Sequence, residues 1–144
     1  KVVERSVRTI KPLADKKKIN IDSNFEKTII KGDKESLERM IVIFLDNAVK
    51  YSDKKGKIKV GIKSKKKFAE IIISDNGRGI PEKDLPHIFD RFYRVDRARC
   101  KNDVCGYGLG LSVAKKIIDL HQGSISVESE INKGTTFTIK LPVT

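Results

Sequence analysis

The chain is poor in cysteine and in aromatic residues, has no tryptophan, and carries no long hydrophobic run. Its two cysteines, Cys100 and Cys105, are too few for the disulfide framework of a small secreted domain, and a reducing cytosol suits them. Two sulfurs alone do not make a zinc site either, since such sites generally need four ligands. Aromatic side chains make up 6% of the residues and are not interleaved with basic ones, as single-strand nucleic-acid binders require, so no nucleic-acid partner is expected. The longest apolar stretch, Met40 to Leu45, is far too short to span a bilayer. No charged start leads into an apolar segment and a small-residue cleavage site, so no signal peptide is expected. The sequence opens at Lys1 without an initiating Met and reads as a cytoplasmic piece of a longer protein. Also missing are Gly-x-x-x-x-Gly-Lys-Ser/Thr and strictly alternating βαβ units, which disfavours P-loop and dinucleotide-binding architectures.

What remains is a chain of 144 residues, near the commonest size for one domain, and residues 1–144 are expected to form a single one. Charged residues reach 35%, yet apolar residues at 38% recur throughout, which argues against disorder. The net charge of +12 favours anionic partners. Much of that excess lies in lysine clusters at 16–18, 54–57 and 63–67, beside expected turns, where solvated surface is the ordinary explanation.

Residues 2–17 carry apolar positions at Val3, Val7, Ile10 and Leu13/Ala14, a helical stripe that Pro12 is expected to kink. Ile19, Ile21 and Phe25 alternate as in a strand, with Thr28 to Lys31 a candidate partner for it. Asp33 is a plausible N-cap for the best-defined helix, 34–52, whose core stripe is Leu37, Met40, Ile41, Phe44, Leu45 and Ala48. Strands follow at 57–64 and 68–74. The stretch 81–107 is irregular, which in a compact domain marks a functional or mobile loop. A helix at 109–121 ends at Gly123, and strands at 125–129 and 135–141 turn at Gly134. This order gives one mixed sheet with helices on a face, an α+β two-layer sandwich.

Three constellations carry chemistry. Asn47 and Lys50 are helical neighbours at the edge of the core stripe. An amide oxygen there suits a magnesium ion that takes its remaining ligands from phosphate and water, although Asn47 taken alone reads rather as a residue that caps or hydrogen-bonds something nearby. Asp75-Asn76-Gly77-Arg78-Gly79-Ile80 follows the apolar run Ile71 to Ile73. Its carboxylate can accept the exocyclic amine proton of a purine while the glycines let backbone approach a flat ligand; alone, the motif also reads as a turn. Gly106-Tyr107-Gly108-Leu109-Gly110-Leu111 opens a helix and leaves backbone N–H groups unshielded at its positive end, a phosphate site.

Together and in this order, with Phe89 and Phe92 between the last two, these elements resemble the catalytic ATP-binding domain of bacterial sensor histidine kinases, of the Bergerat-type ATPase superfamily that includes DNA gyrase B and MutL. The matching segments are Leu45 to Tyr51 (the N box), Asp75 to Ile80 (G1), Ile88 to Arg94 (the F box) and Gly106 to Leu111 (G2), with Gly134-Thr135-Thr136-Phe137 as the closing glycine motif. The likeness covers nearly the whole chain. It implies about five strands packed under three main helices, with a long ATP lid over residues 81–107.

The resemblance also implies roles. Asn47 would coordinate Mg2+, Lys50 would touch phosphate, and Tyr51 would line the nucleotide cleft. Asp75 would bind the adenine amine, with Gly77, Gly79, Ile80 and Thr136 contributing to the nucleotide site. Phe89 and Phe92 would anchor the lid, and Arg94 would reach the γ-phosphate. Gly106, Tyr107, Gly108, Leu109 and Gly110 would surround the phosphates. Cys100 and Cys105 fall in the lid, where free thiols are favoured over a bridge. The implied function is transfer of the γ-phosphoryl group of Mg-ATP to a histidine on a separate dimerisation helix pair, and from there to the receiver domain of a response regulator. Neither His87, beside the F box, nor His121, in a last helical turn, reads as that acceptor. The parent kinase would be a homodimer, free or anchored in the plasma or inner membrane, and the isolated domain a monomer. Where the superfamily's hydrolases carry a glutamate that activates water, this chain has Ile43, which cannot deprotonate water. The rival readings are a Bergerat-type ATPase, an anti-sigma serine kinase, and a basic nucleic-acid-binding module.

Overall fold

The computed structural model describes residues 1–93 and 110–143. The elements run α1 (Val2–Lys16), β1 (Asn20–Phe25), α2 (Lys34–Tyr51), β2 (Lys57–Ser64), β3 (Phe68–Asp75), a short 3₁₀ turn (Leu85–His87), α3 (Gly110–Leu120), β4 (Ser124–Glu130) and β5 (Gly134–Pro142). The strands form one sheet in the order β1-β2-β3-β5-β4. β1 lies parallel to β2, and all other pairs are antiparallel, so the sheet is mixed.

Strand alternation decides which side faces the helices. Ile58 and Val60 of β2, Ile71 and Ile73 of β3, and Phe137, Ile139 and Leu141 of β5 are buried on the helix face. The opposite face is mixed, with Glu70 opposite Lys140 and Ser74 opposite Thr136 beside Phe68 and Ile72. Helix α2 forms the centre of the core layer. The carboxylate of Asp33 accepts the Ser36 N–H at 2.9 Å and so caps the helix start. That bonding, with the Ser36 hydroxyl foremost, holds the Asp33 carboxyl below its ordinary range. Met40, Phe44 and Leu45 are wholly excluded from solvent, and burying a side chain of this size stabilises the fold by roughly 1.5–3 kcal/mol. The Phe44 ring packs on Phe137 with centroids 4.9 Å apart, joining α2 to the sheet.

Two local expectations change, at residues 28–31 and at Gly123. Residues 28–31 do not pair with β1; Ile30 makes a single antiparallel bridge with Val143, because β1 takes its partner from β2. Helix α1 runs uninterrupted through Pro12, which lies on its exposed side where water can serve the carbonyl left without a donor. At the end of α3 the left-handed residue is Gln122 (φ 59°), not Gly123. Gln122 N–H donates to Asp119 O and Gly123 N–H to Ile118 O, a Schellman closure. Gly123 is needed for a different reason: a Cβ there would lie 2.6 Å from the Lys140 carbonyl oxygen. Helix α1 closes the same way on Lys18 (φ 57°).

Candidate functional site

Asp75 is the last residue of β3, on the helix face and half-buried. Its Oδ1 accepts the Gly77 N–H at 2.9 Å, and Thr135 lies opposite it in register on β5. Burial nonetheless dominates and raises its pKa above the ordinary carboxylate value. The wall beside it is backbone in close approach. A Cβ on Gly77 would sit 2.3 Å from the Tyr51 carbonyl oxygen, and one on Gly79 (φ +76°) 2.1 Å from that of Glu130. Gly134, at φ +128°, stands against the Asp75 carbonyl in the same way. Hydrogen bonds tie these segments together: Arg78 N–H to Tyr51 O at 3.2 Å, and Asn132 N–H to Arg78 O at 2.7 Å. The Arg78 guanidinium lies 5.4 Å from the Tyr51 ring centroid.

Ser129 is a member of this wall that the motifs do not reveal. Its Oγ accepts the Ile80 N–H at 2.7 Å, donates to Gly134 O at 3.0 Å and lies 2.8 Å from Thr135 Oγ1, so it joins the G1 segment to the β4–β5 turn. Thr135, not Thr136, shares the helix face with Asp75. Strand alternation turns Thr136 to the far side of the sheet, where its hydroxyl lies 2.8 Å from that of Ser74. Thr136, expected to contribute to the nucleotide site, thus faces away from Asp75, and Thr135 faces toward it.

On the other side stands the C-terminal half of α2. Asn47, Lys50 and Tyr51 are half-buried, at the edge of the core stripe. The Lys50 ammonium pairs with Asp46 at 3.0 Å, one turn back. The Asn47 amide has no hydrogen-bond partner among the described residues, which leaves a neutral oxygen donor at the helix edge. Ile43, one turn earlier, faces the start of α3: a Cβ on Gly110 would lie 3.5 Å from its Cγ2. From the F box, Phe89 packs edge-on against Phe137 with centroids 6.3 Å apart, while Phe92 is exposed at φ 66°. The Tyr93 hydroxyl donates to the buried Asp84 carboxylate.

Asp75, Gly77, Gly79, Ile80 and Tyr51 thus belong to one connected wall, and Asn47 and Lys50 to the helix that meets it. Arg94, Cys100, Cys105, Gly106, Tyr107, Gly108 and Leu109 lie outside the described residues, as does most of the expected lid. Among the described residues no group of three His, Cys, Asp or Glu side chains could hold a metal by itself. The Asn47 oxygen fits a magnesium ion that takes most of its ligands elsewhere.

This architecture, with an acidic strand end and a glycine-built wall meeting the core helix, defines an ATP-binding domain of the kind shared by ATPases and sensor kinases. Residues 32–144 match the family described as "Histidine kinase-, DNA gyrase B-, and HSP90-like ATPase", and the chain belongs to that family. Over 137 residues, 95% of its length, it is 46% identical to the signal transduction histidine-protein kinase ArlS of Staphylococcus aureus (strain USA300). The chain spans 30% of the length of that relative. The mycobacterial sensor histidine kinase MprB superposes with a TM-score of 0.84 at 30% identity, covering 98% of this chain and 93% of that one. The catalytic domain of the histidine kinase ThkA gives 0.84 at 24% identity over 98% and 91% of the two chains, a likeness of fold. No helix among the described residues is long and apolar enough to cross a membrane.

Proposed function

We propose that residues 1–144 form the catalytic domain of a sensor histidine kinase, which binds Mg-ATP and delivers its γ-phosphoryl group to a histidine on a separate dimerisation helix pair. A response-regulator aspartate is the next acceptor. The observation that carries this reading is the half-buried Asp75 carboxylate at the end of β3, framed by glycines that hold side chains away from it. Asp75 accepts the adenine amine proton, with Tyr51, Gly77, Gly79, Ile80 and Thr135 shaping the wall. Asn47 ligates Mg2+, and Lys50 exchanges Asp46 for phosphate oxygens. The magnesium ion neutralises charge on the phosphates when bound. Phe89 ties the F box to the core, and Arg94 and the glycines of the Gly106 to Gly110 segment are the proposed partners of the triphosphate.

Catalysis by such a site is positioning and electrostatics, because phosphoryl transfer asks little covalent chemistry of the protein. Ile43 supports transfer over hydrolysis, since an aliphatic side chain at that turn cannot take a proton from water. The parent protein is a homodimer, whether free or anchored to the membrane. The test is to incubate the chain with γ-labelled ATP, with and without the dimerisation helix pair of its parent in trans. Acid-labile phosphohistidine on the added helices, and none on the chain alone, is expected. Stoichiometric label on His87 or His121, or rapid phosphate release without acceptor, overturns the proposal.

A further inference from the structure

Lys17 stands in the first lysine cluster, yet its ammonium is not left to solvent. Nζ donates to Val49 O at 2.8 Å, Lys50 O at 3.1 Å and Ser52 O at 3.0 Å. Helix ends leave carbonyls without intrahelical donors, and a cation there also meets the negative end of the helix dipole. The other carbonyls of the turn are served as well. Ala48 O accepts from Ser52 N–H at 3.1 Å and Ser52 Oγ at 2.6 Å, and Tyr51 O accepts from Arg78 N–H at 3.2 Å. Two separate segments therefore hold the last turn of α2: the adenine wall through Arg78, and the end of α1 through Lys17. Between the two clamps lie Lys50 and Tyr51, with Asn47 one turn back. Partial burial and the nearby Arg78 lower the pKa of Lys17, with Asp53 opposing.

We infer that Lys17 is a positioning residue of the nucleotide site, through which α1 fixes the last turn of α2, and with it Lys50 and Tyr51, against the Gly77–Arg78 wall. The inference rests on the nucleotide reading above. It also supplies a route for regulation, because a shift of α1 pulls on three carbonyls of the turn that bears those side chains.

The experiment compares Lys17→Met, which keeps the aliphatic stem, with Lys17→Arg, which keeps the charge and donors. Fluorescent ATP-analogue titration, ATP competition and thermal unfolding are read on the full chain, together with KM and kcat for transfer to the acceptor helices in trans. Lys17→Met is expected to weaken Mg-ATP binding about five- to tenfold, the scale of losing hydrogen bonds that orient a turn, and to raise KM more than it lowers kcat. Lys17→Arg is expected to restore affinity to within about twofold of the parent chain. A Lys17→Met protein that melts earlier but binds Mg-ATP as the parent does would make Lys17 a structural cap only and overturn the inference. If Lys17→Met does not fold, the Lys17 Cε resonance of the parent chain is followed by NMR; a shift on saturation with an ATP analogue supports the coupling, and an unmoved resonance refutes it. Failure of the parent chain to bind ATP would instead sink the nucleotide reading itself.

Discussion

Around Asp75 the candidate site is made of backbone pressed against backbone, with Gly77, Gly79 and Gly134 each touching the carbonyl of a distant segment. One helix away, around Asn47 and Lys50, it is made of side chains on a half-exposed edge. The first wall has a fixed shape and one charged group, which suits a flat, rigid base. The second can re-pair, as the Lys50–Asp46 contact illustrates, which suits a phosphate tail and its ion. The difference teaches that the two halves should fail differently: the base wall through shape or charge, the tail side through the ion.

The largest effect is expected for Asp75→Asn, which replaces a charged acceptor with an amide that presents donors to the adenine amine. ATP affinity should fall about a hundredfold, measured by calorimetry, the scale of losing a charged hydrogen bond and leaving partners unmatched. Acid should mimic it. Because burial raises the Asp75 pKa, the folded domain takes up this proton more readily than the unfolded chain does. Its contribution to stability is therefore complete below the unfolded carboxylate pKa and is lost as pH rises through the folded value. Nucleotide affinity runs the other way, falling as pH drops through that raised value, and Asp75→Asn should be flat over the same range.

Gly79→Ala comes next. It places a Cβ at positive φ and 2.1 Å from the Glu130 carbonyl, so the β4–β5 turn must move. A loss of about 2–3 kcal/mol in denaturant unfolding is expected, together with weaker ATP binding. Asn47→Ala should leave magnesium-free nucleotide affinity and thermal stability nearly unchanged, and remove about tenfold of the magnesium-dependent part; equal losses with and without the ion would erase the distinction between the walls. His121→Ala tests a remote joint. There Nδ1 donates to Ile117 O at 2.8 Å and Nε2 accepts the Asp33 N–H at 3.1 Å, pinning the end of α3 to the start of α2. It should cost about 1–2 kcal/mol of stability and leave ATP affinity alone.

The sandwich was legible because its signals are local, and so was the placing of Asp75 and its glycines at one strand end. The α2 stripe falls on one face of a helix, and Asp75 sits at the end of a run of isoleucines with glycines spaced behind it. What escaped depends on distant partners. Residues 28–31 look like a neighbour for β1, but the strand that pairs with it begins only at Lys57. Thr136 and Thr135 are indistinguishable in composition, and a single step along a strand reverses the face. Ser129 lacks a motif because its role is to bridge segments, and Lys17 looked solvated because nothing local announces that the ends of α1 and α2 lie side by side.

The helix stops on Lys18 and Gln122 have an engineering consequence. Both hold a left-handed backbone at a steric penalty that glycine does not pay; Gln122 stands apart from the nucleotide wall, whereas Lys18 adjoins the Lys17 clamp. Replacing either with glycine should raise the melting midpoint slightly, by about 0.5–1 kcal/mol of stability less whatever the looser unfolded chain takes back. The domain thus holds spare robustness at Gln122, available for toughening it without altering the affinity it shows for ATP, while the same change at Lys18 would also disturb the α1 clamp.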